Sequence, residues 1–190
     1  PPPSLLLAAM RPPRRDVKKT GSLHEIHPQR ILAQVVNALR DRHGFDTGDV
    51  DDVIMGCGAG SGDHSMEIAR MAALDAGWSL DAPGVTLNRF CGSGQQAVNF
   101  AAMGVMSGQQ DFVVAGGVES MSRPGPMGVD GFTANNAHLY DQYPLVAQGI
   151  SADLIATVEG FTRQDVDRLA VHGQTRPATP LPDGRRAPTR

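Results

Sequence analysis

Between residues 52 and 117, short apolar runs closed by glycine or a polar turn alternate with longer stretches of helical period. No other feature of the chain limits its fold so tightly. The runs in DVDDVIMGCG, GVTLNRF and DFVVAGG are too short for helices and are bounded by turn residues, so they predict strands. SMEIARMAALDAGW sets Ile68, Met71, Ala72 and Ala76 at helical spacing and stops at Gly77. CGSGQQAVNFAAMGVMSG reads as a helix that is apolar almost all round, through Ala97, Val98, Phe100, Met103 and Met106, which predicts burial on every side. Upstream, PQRILAQVVNALRDRHG has Pro28 in a first turn, Gly44 at the stop, and Ile31, Val35 and Leu39 on one face beside Leu32 and Val36. SLLLAAM, residues 4–10, predicts a further short buried strand, and RPPRRDVKKTGS a loop. Elements in this order predict an α/β domain: a largely parallel sheet with helices on its faces.

After Gly117 the texture changes. VESMSRPGPMGVDGFTANNAHLYDQYPLVAQ is rich in Gly, Pro and Asn, and an irregular stretch of that length has a function or covers something. Two helices are expected around SADLIATVEG and TRQDVDRLAVHG, with Thr162 as N-cap of the second and Asp165 in its first turn. The closing RPATPLPDGRRAPTR holds four prolines and four arginines with no apolar period, and predicts a disordered tail.

Apolar residues make up 41% of the 190-residue chain, enough for a packed core, and the net charge of −3 gives no reason to expect a nucleic-acid partner. Two cysteines, Cys57 and Cys91, are too few for a disulfide scaffold or a thiolate metal site, so reduced thiols in a cytoplasmic protein are expected. LLLAAM is too short for a signal core or a membrane span. His24 and His27 lead into a helix and have no third ligand cluster, so no metal is expected. Asp51 and Asp52 read as a solvated strand edge.

The chemistry of the chain concentrates in NRFCGSGQQAV, residues 88–98. If Gly92 opens the helix, Cys91 lies at its N-cap or first turn, where free N–H groups and the positive helix end favour a thiolate, the nucleophilic form. Gly92 and Gly94 clear the approach, so an acyl carbonyl can come close to backbone donors. A lone cysteine in an apolar chain is ordinarily a small buried hydrophobe, and that reading stands beside the nucleophile. Cys57, in MGCGAG, reads as structural or as lining a pocket. A third reading takes Gly92-Ser93-Gly94-Gln95-Gln96-Ala97 as a dinucleotide fingerprint, with Asp111 about twenty residues on. Against it, Asp111 precedes its strand, whereas a ribose-binding acid belongs at the strand's far end, where Glu119 follows Gly116 and Gly117.

VTLNRFCGSGQQAVNFAAMGVMSGQQDFVVAGGVESMSRPGPMG resembles the nucleophile region of thiolases, the acyl-CoA C-acyltransferases. The likeness runs over roughly residues 20–171, and more weakly over 4–15. It implies an N-terminal thiolase half, with residues 4–118 as the α/β core, 119–171 as the start of a covering loop domain, and 172–190 as the tail. It implies that Cys91 takes the acyl group of a 3-ketoacyl-CoA, or of acetyl-CoA in the reverse direction, and passes it to a second thiol or carbanion. By the same resemblance Met121 lies near the acyl pocket, and Asn88, Gly92 and Gly94 shape the motif. CoA is then a substrate rather than a bound cofactor, and homo-oligomers are implied for the intact family. The family's second half supplies an Asn-Glu-Ala-Phe segment, a Gly-His-Pro histidine and a second acid/base cysteine, none of which occurs here. That absence, with the loss of pattern near residue 172, points to a truncated gene or shifted frame, and to a non-catalytic interaction module as the alternative function.

Overall fold

In a computed structural model, residues 4–12, 19–123, 136–143 and 145–178 are described. They fall in two compact units, Pro1–Met127 and Gly128–Arg190. The first holds a three-stranded parallel sheet of β1 (Asp52–Gly56), β2 (Gly84–Leu87) and β3 (Val113–Gly117), in the order β2-β1-β3. Parallel strands need crossover connections: α2 (Ile68–Asp75) lies between β1 and its neighbour β2, and α3 (Ser93–Ser107) lies in the connection from β2 across β1 to β3. The central strand β1 pairs Val53 with Gly84 and Val114, and Gly56 with Leu87 and Gly117.

Alternate residues of β1 serve opposite faces. Val53 and Met55 join Leu32, Ala33, Val36, Ala69, Ala72, Ala73 and Trp78 in one core cluster, so α1 (Pro28–His43) and α2 cover that face. Each fully buried Val, Leu or Met contributes roughly 1.5–3 kcal/mol. The opposite face meets α3: a Cβ on Gly56 would lie 2.3 Å from the carbonyl carbon of Ser93. A second close approach occurs at Gly84, where a Cβ would lie 2.8 Å from the backbone nitrogen of Arg70 in α2. Strand and helix are thereby fixed at both glycines, and the start of α3 is pressed against the end of β1.

Helix α1 begins and ends where its sequence indicates. Pro28 opens it, the His27 ring accepts from the Gln29 N–H at 3.3 Å, and Gly44 closes it at φ 68°. Trp78 Nε1 donates to Asn37 Oδ1 at 3.0 Å, pinning the loop after α2 to α1. Asp51 is more than a solvated edge: its carboxylate accepts the N–H groups of Phe112 at 2.9 Å and Asp111 at 2.6 Å, which lowers its pKa and holds the entry to β3.

Two expectations are corrected here. Residues 4–10 form no strand, and Leu5, Leu6 and Leu7 are 76%, 81% and 75% exposed. The run is Leu and Ala with no β-branched residue, and it makes no ladder with the edge strand β3, so apolarity alone does not make it a strand. Helix α3 is not buried all round. Ser93, Gln96 and Ala97 are buried, whereas Phe100, Met103 and Met106 are 43%, 59% and 41% exposed. Among the described residues of this unit, β1 and β3 are the elements that pack closely along it, on one side.

The second unit contains α4 (Ala137–Gln142), α5 (Gln148–Glu159) and α6 (Arg163–Ala178). Thr162 caps α6 as expected and Asp165 returns the bond: the Asp165 carboxylate accepts from Thr162 N–H at 2.9 Å and its own N–H donates to Thr162 Oγ1 at 3.3 Å. Helix α6 passes through 172–178, which the sequence reading assigns to a disordered tail; once nucleated by its cap, a helix extends at small cost per residue. The remainder of that tail, 179–190, lies outside the described residues. Among the described residues no helix is long and apolar enough to cross a membrane.

Candidate active site

The carboxyl ends of the three strands converge, and in an open parallel sheet such ends are where ligands bind. Cys57 follows β1 and donates its N–H to Leu87 O at 3.0 Å; Val118 follows β3 and donates to Gly56 O at 3.1 Å. Asn88 to Cys91 follow β2.

The turn carrying Cys91 is tightly bonded. Phe90 has φ +48°, a left-handed conformation that a bulky residue adopts only under restraint. The restraint is visible: Phe90 N–H donates to Asn88 Oδ1 at 2.8 Å, Gly92 N–H to Arg89 O at 3.0 Å, and Ser93 N–H to Phe90 O at 3.1 Å. Ser93 Oγ accepts from Arg89 N–H at 2.9 Å and donates to Phe90 O at 2.6 Å. Gly92 is the N-cap of α3, so Cys91 stands one residue before the cap rather than at it or inside the first turn. It is exposed, which removes the buried-hydrophobe reading. A Cβ on Gly94 would meet nothing within 4 Å, so internal packing does not demand glycine there; its effect is to leave the space beside the helix start open.

Asn88 bridges two loops, its Nδ2 donating to Gly58 O at 2.9 Å while its Oδ1 holds Phe90. Gly58 N–H and Ala59 N–H both donate to Glu119 Oε2, at 2.7 and 3.3 Å. Glu119 Oε1 lies 4.0 Å from Cys57 Sγ. Burial, and then the Glu119 charge, push the Cys57 thiol pKa up; Cys57 is 1% exposed. Buried His64 accepts the Ser120 N–H at Nε2, 2.8 Å, so its proton sits on Nδ1. Burial lowers its pKa, overcoming the opposite pull of Glu119 and Asp63. Asp63 is held below the ordinary carboxylate range chiefly by its hydrogen bond from Arg123 Nε, 2.8 Å.

Met121, 66% exposed, lines a cavity of about 650 Å³ with Leu6, Ile31, Val35 and Val114; Cys91 does not line it. Asp111 precedes β3, at the opposite end of the parallel sheet from Gly92 and Gly94, so the dinucleotide fingerprint is not assembled. Asn88, Cys91, Gly92 and Gly94, the candidates visible in the sequence, are brought into one turn by the fold. The parts played by Ser93, His64 and Glu119 emerge only in the structure. Ser93, placed at a helix start, is the only one whose spacing offers a local signal.

The parallel α/β layer thus presents an exposed cysteine from a strained strand-to-helix turn. The family model for the thiolase N-terminal domain matches residues 6–185, and the chain belongs to the thiolase family. That match begins within the weakly similar N-terminal run and extends well past residue 171. The chain is 37% identical over 171 residues to a steroid 3-ketoacyl-CoA thiolase of Mycobacterium tuberculosis, covering 84% of this chain and 42% of the relative. It is 33% identical over 184 residues to a 3-ketoacyl-CoA thiolase of Bacillus subtilis, covering 96% and 46%. It is 38% identical over 170 residues to an acetyl-CoA acetyltransferase of Cupriavidus necator, covering 82% and 42%. The chain thus spans less than half the length of these curated relatives.

Proposed function

We propose that the chain carries the nucleophile of a thiolase-type acyltransferase, and that Cys91 is the group that takes the acyl. The observation that carries this reading is the exposed Cys91 on the strained turn before α3, within the residues that the thiolase N-terminal family model matches. The Cys91 thiolate adds to the keto carbon of a 3-ketoacyl-CoA and the bond between its α and β carbons breaks. The α carbon leaves as the carbanion of acetyl-CoA and takes up a proton. A CoA thiol then displaces the acyl group and returns the sulfur. CoA enters and leaves as substrate. In this reading residues 4–118 form the core and 119–171 begin a covering domain, and the part of Met121 in the acyl pocket rests on the family resemblance alone, since Cys91 does not line the cavity that Met121 lines. Asn88, Gly92 and Gly94 shape the turn, and homo-oligomeric assembly and cytoplasmic residence belong with it.

A non-catalytic interaction module is the second reading. It is favoured by the position of Cys91, one residue before the cap of α3 and outside the cavity that Met121 lines. Incubation with acetoacetyl-CoA followed by peptide mass spectrometry separates the two. One acetyl group on Cys91, absent from Cys91→Ala, supports the acyltransferase; an unlabelled chain supports the module.

A further inference from the structure

The strained turn at Phe90 has to be held by something, and its restraints lead away from the turn itself. Phe90 N–H is bonded to Asn88, and the Asn88 amide is anchored at its other end on Gly58 O. Gly58 lies in Cys57-Gly58-Ala59-Gly60, a glycine-rich segment with no regular structure, so it is a poor anchor unless it is itself fixed. Its backbone donors answer the question of what fixes it: Gly58 and Ala59 give their N–H groups to one oxygen of Glu119. A Cβ on Gly58 would lie 3.1 Å from that oxygen and 3.3 Å from Phe90 O, so three segments from three strand ends meet at this residue.

We infer that Glu119 is a positioning residue for Cys91, acting through Gly58 and Asn88 to hold the Phe90 turn. The inference rests on the acyltransferase reading for its consequence in the reaction, but its structural content stands apart. The carboxylate clamps the loop after β1, the clamped loop presents Gly58 O to Asn88, and Asn88 in turn fixes the Phe90 amide next to the nucleophile. Glu119 touches no reacting atom. Its second oxygen faces Cys57 and His64 at 4.0 Å each, which ties the clamp to the buried side of the site. Reaching both amides requires a side chain of this length. Gln retains an acceptor in the same place, Asp falls a methylene short, and Ala offers nothing.

The test uses the full chain with Glu119→Ala, Glu119→Gln, Asn88→Ala and the Glu119→Ala/Asn88→Ala double variant, each checked by circular dichroism. NMR-detected amide exchange at Phe90 and Gly92 reads the turn, acetylation of Cys91 by acetoacetyl-CoA reads the chemistry, and iodoacetamide alkylation reads the bare sulfur. In Glu119→Ala, exchange at Phe90 rises about tenfold, matching one lost hydrogen bond. Acetylation falls between about tenfold and a hundredfold, as misplacement of a reacting group by an ångström does. Alkylation, which needs only an accessible thiol, stays within about twofold. Glu119→Gln keeps exchange within about threefold because both N–H groups retain an acceptor. In the Asn88→Ala background the Glu119 substitution adds little, since the link it acts through is already cut. If Glu119→Ala does not fold, Glu119→Asp carries the same expectations. Unchanged exchange at Phe90, or full additivity with Asn88→Ala, overturns the inference whatever the acetylation result. Raised exchange in a chain whose unsubstituted Cys91 takes no acetyl upholds the positioning role and removes the acyltransferase reading.

Discussion

Cys57 and Cys91 follow adjacent parallel strands, each beside glycines, and the fold treats them in opposite ways. Cys57 comes directly off β1, where the sheet ladder continues into it through its N–H to Leu87 O, and it ends 1% exposed with a carboxylate near its sulfur. Cys91 comes off β2 three residues later, after a left-handed Phe90 has turned the chain outward, and it is exposed. Two thiols in similar sequence settings are thus sorted by backbone geometry. One is a filler whose charged form is penalised by burial; the other stands clear at the mouth of the strand ends.

The largest expected effect breaks or upholds that comparison directly. With iodoacetamide under native conditions, Cys91 reacts on the order of a hundredfold or more faster than Cys57, which is reached only through local opening. Comparable rates would mean the two settings do not differ as described. Next comes Gly56→Ala. Its methyl would fall on the Ser93 backbone, so α3 must shift from the sheet, at an expected cost of about 3 kcal/mol in denaturant unfolding. A loss under 1 kcal/mol would show that β1 and α3 are not seated as closely as their backbones indicate.

A pH series sharpens the buried side. His64 titrates below its ordinary 6.5 in the folded chain, because burial disfavours its charged form. The unfolded chain therefore binds the proton first, and this contribution to stability, present above pH 6.5, is lost as pH falls through that value toward the folded one. Thermal midpoints should fall on acidification across this window and fall less in His64→Gln. The lowered carboxylates Asp51 and Asp63 act lower, their contribution present above 3.8 and lost as pH drops through their folded values. The smallest effect separates the thiols as packing units. Cys57→Ala is expected to cost about 1 kcal/mol, and Cys91→Ala less than about 0.5 kcal/mol, by chemical denaturation.

What could be read from the sequence was local. Pro28 and Gly44 bound α1, Thr162 and Asp165 cap α6, and short apolar runs closed by glycine or a polar turn mark three strands, because each signal acts within a few residues. The family resemblance lies in residues contiguous with NRFCGSG and was legible for the same reason. The Glu119 clamp joins residues 61 apart, and the Asn88 bond to Gly58 joins residues 30 apart, so neither leaves a mark in spacing. Residues 4–10 are apolar enough for a strand, but pairing is decided by what lies beside them. Helix α3 has the same ambiguity in reverse: its composition reports a need for cover on all sides, and the unit covers one.

The most direct test of the account is the fate of Cys91 with an acyl donor. The chain is incubated with acetoacetyl-CoA, quenched in acid and mapped by mass spectrometry. One acetyl group on Cys91, none on Cys57, and none in Cys91→Ala is the expected result. An acetyl on Cys57, or no thioester at all in a chain whose Cys91 still alkylates readily, would contradict it.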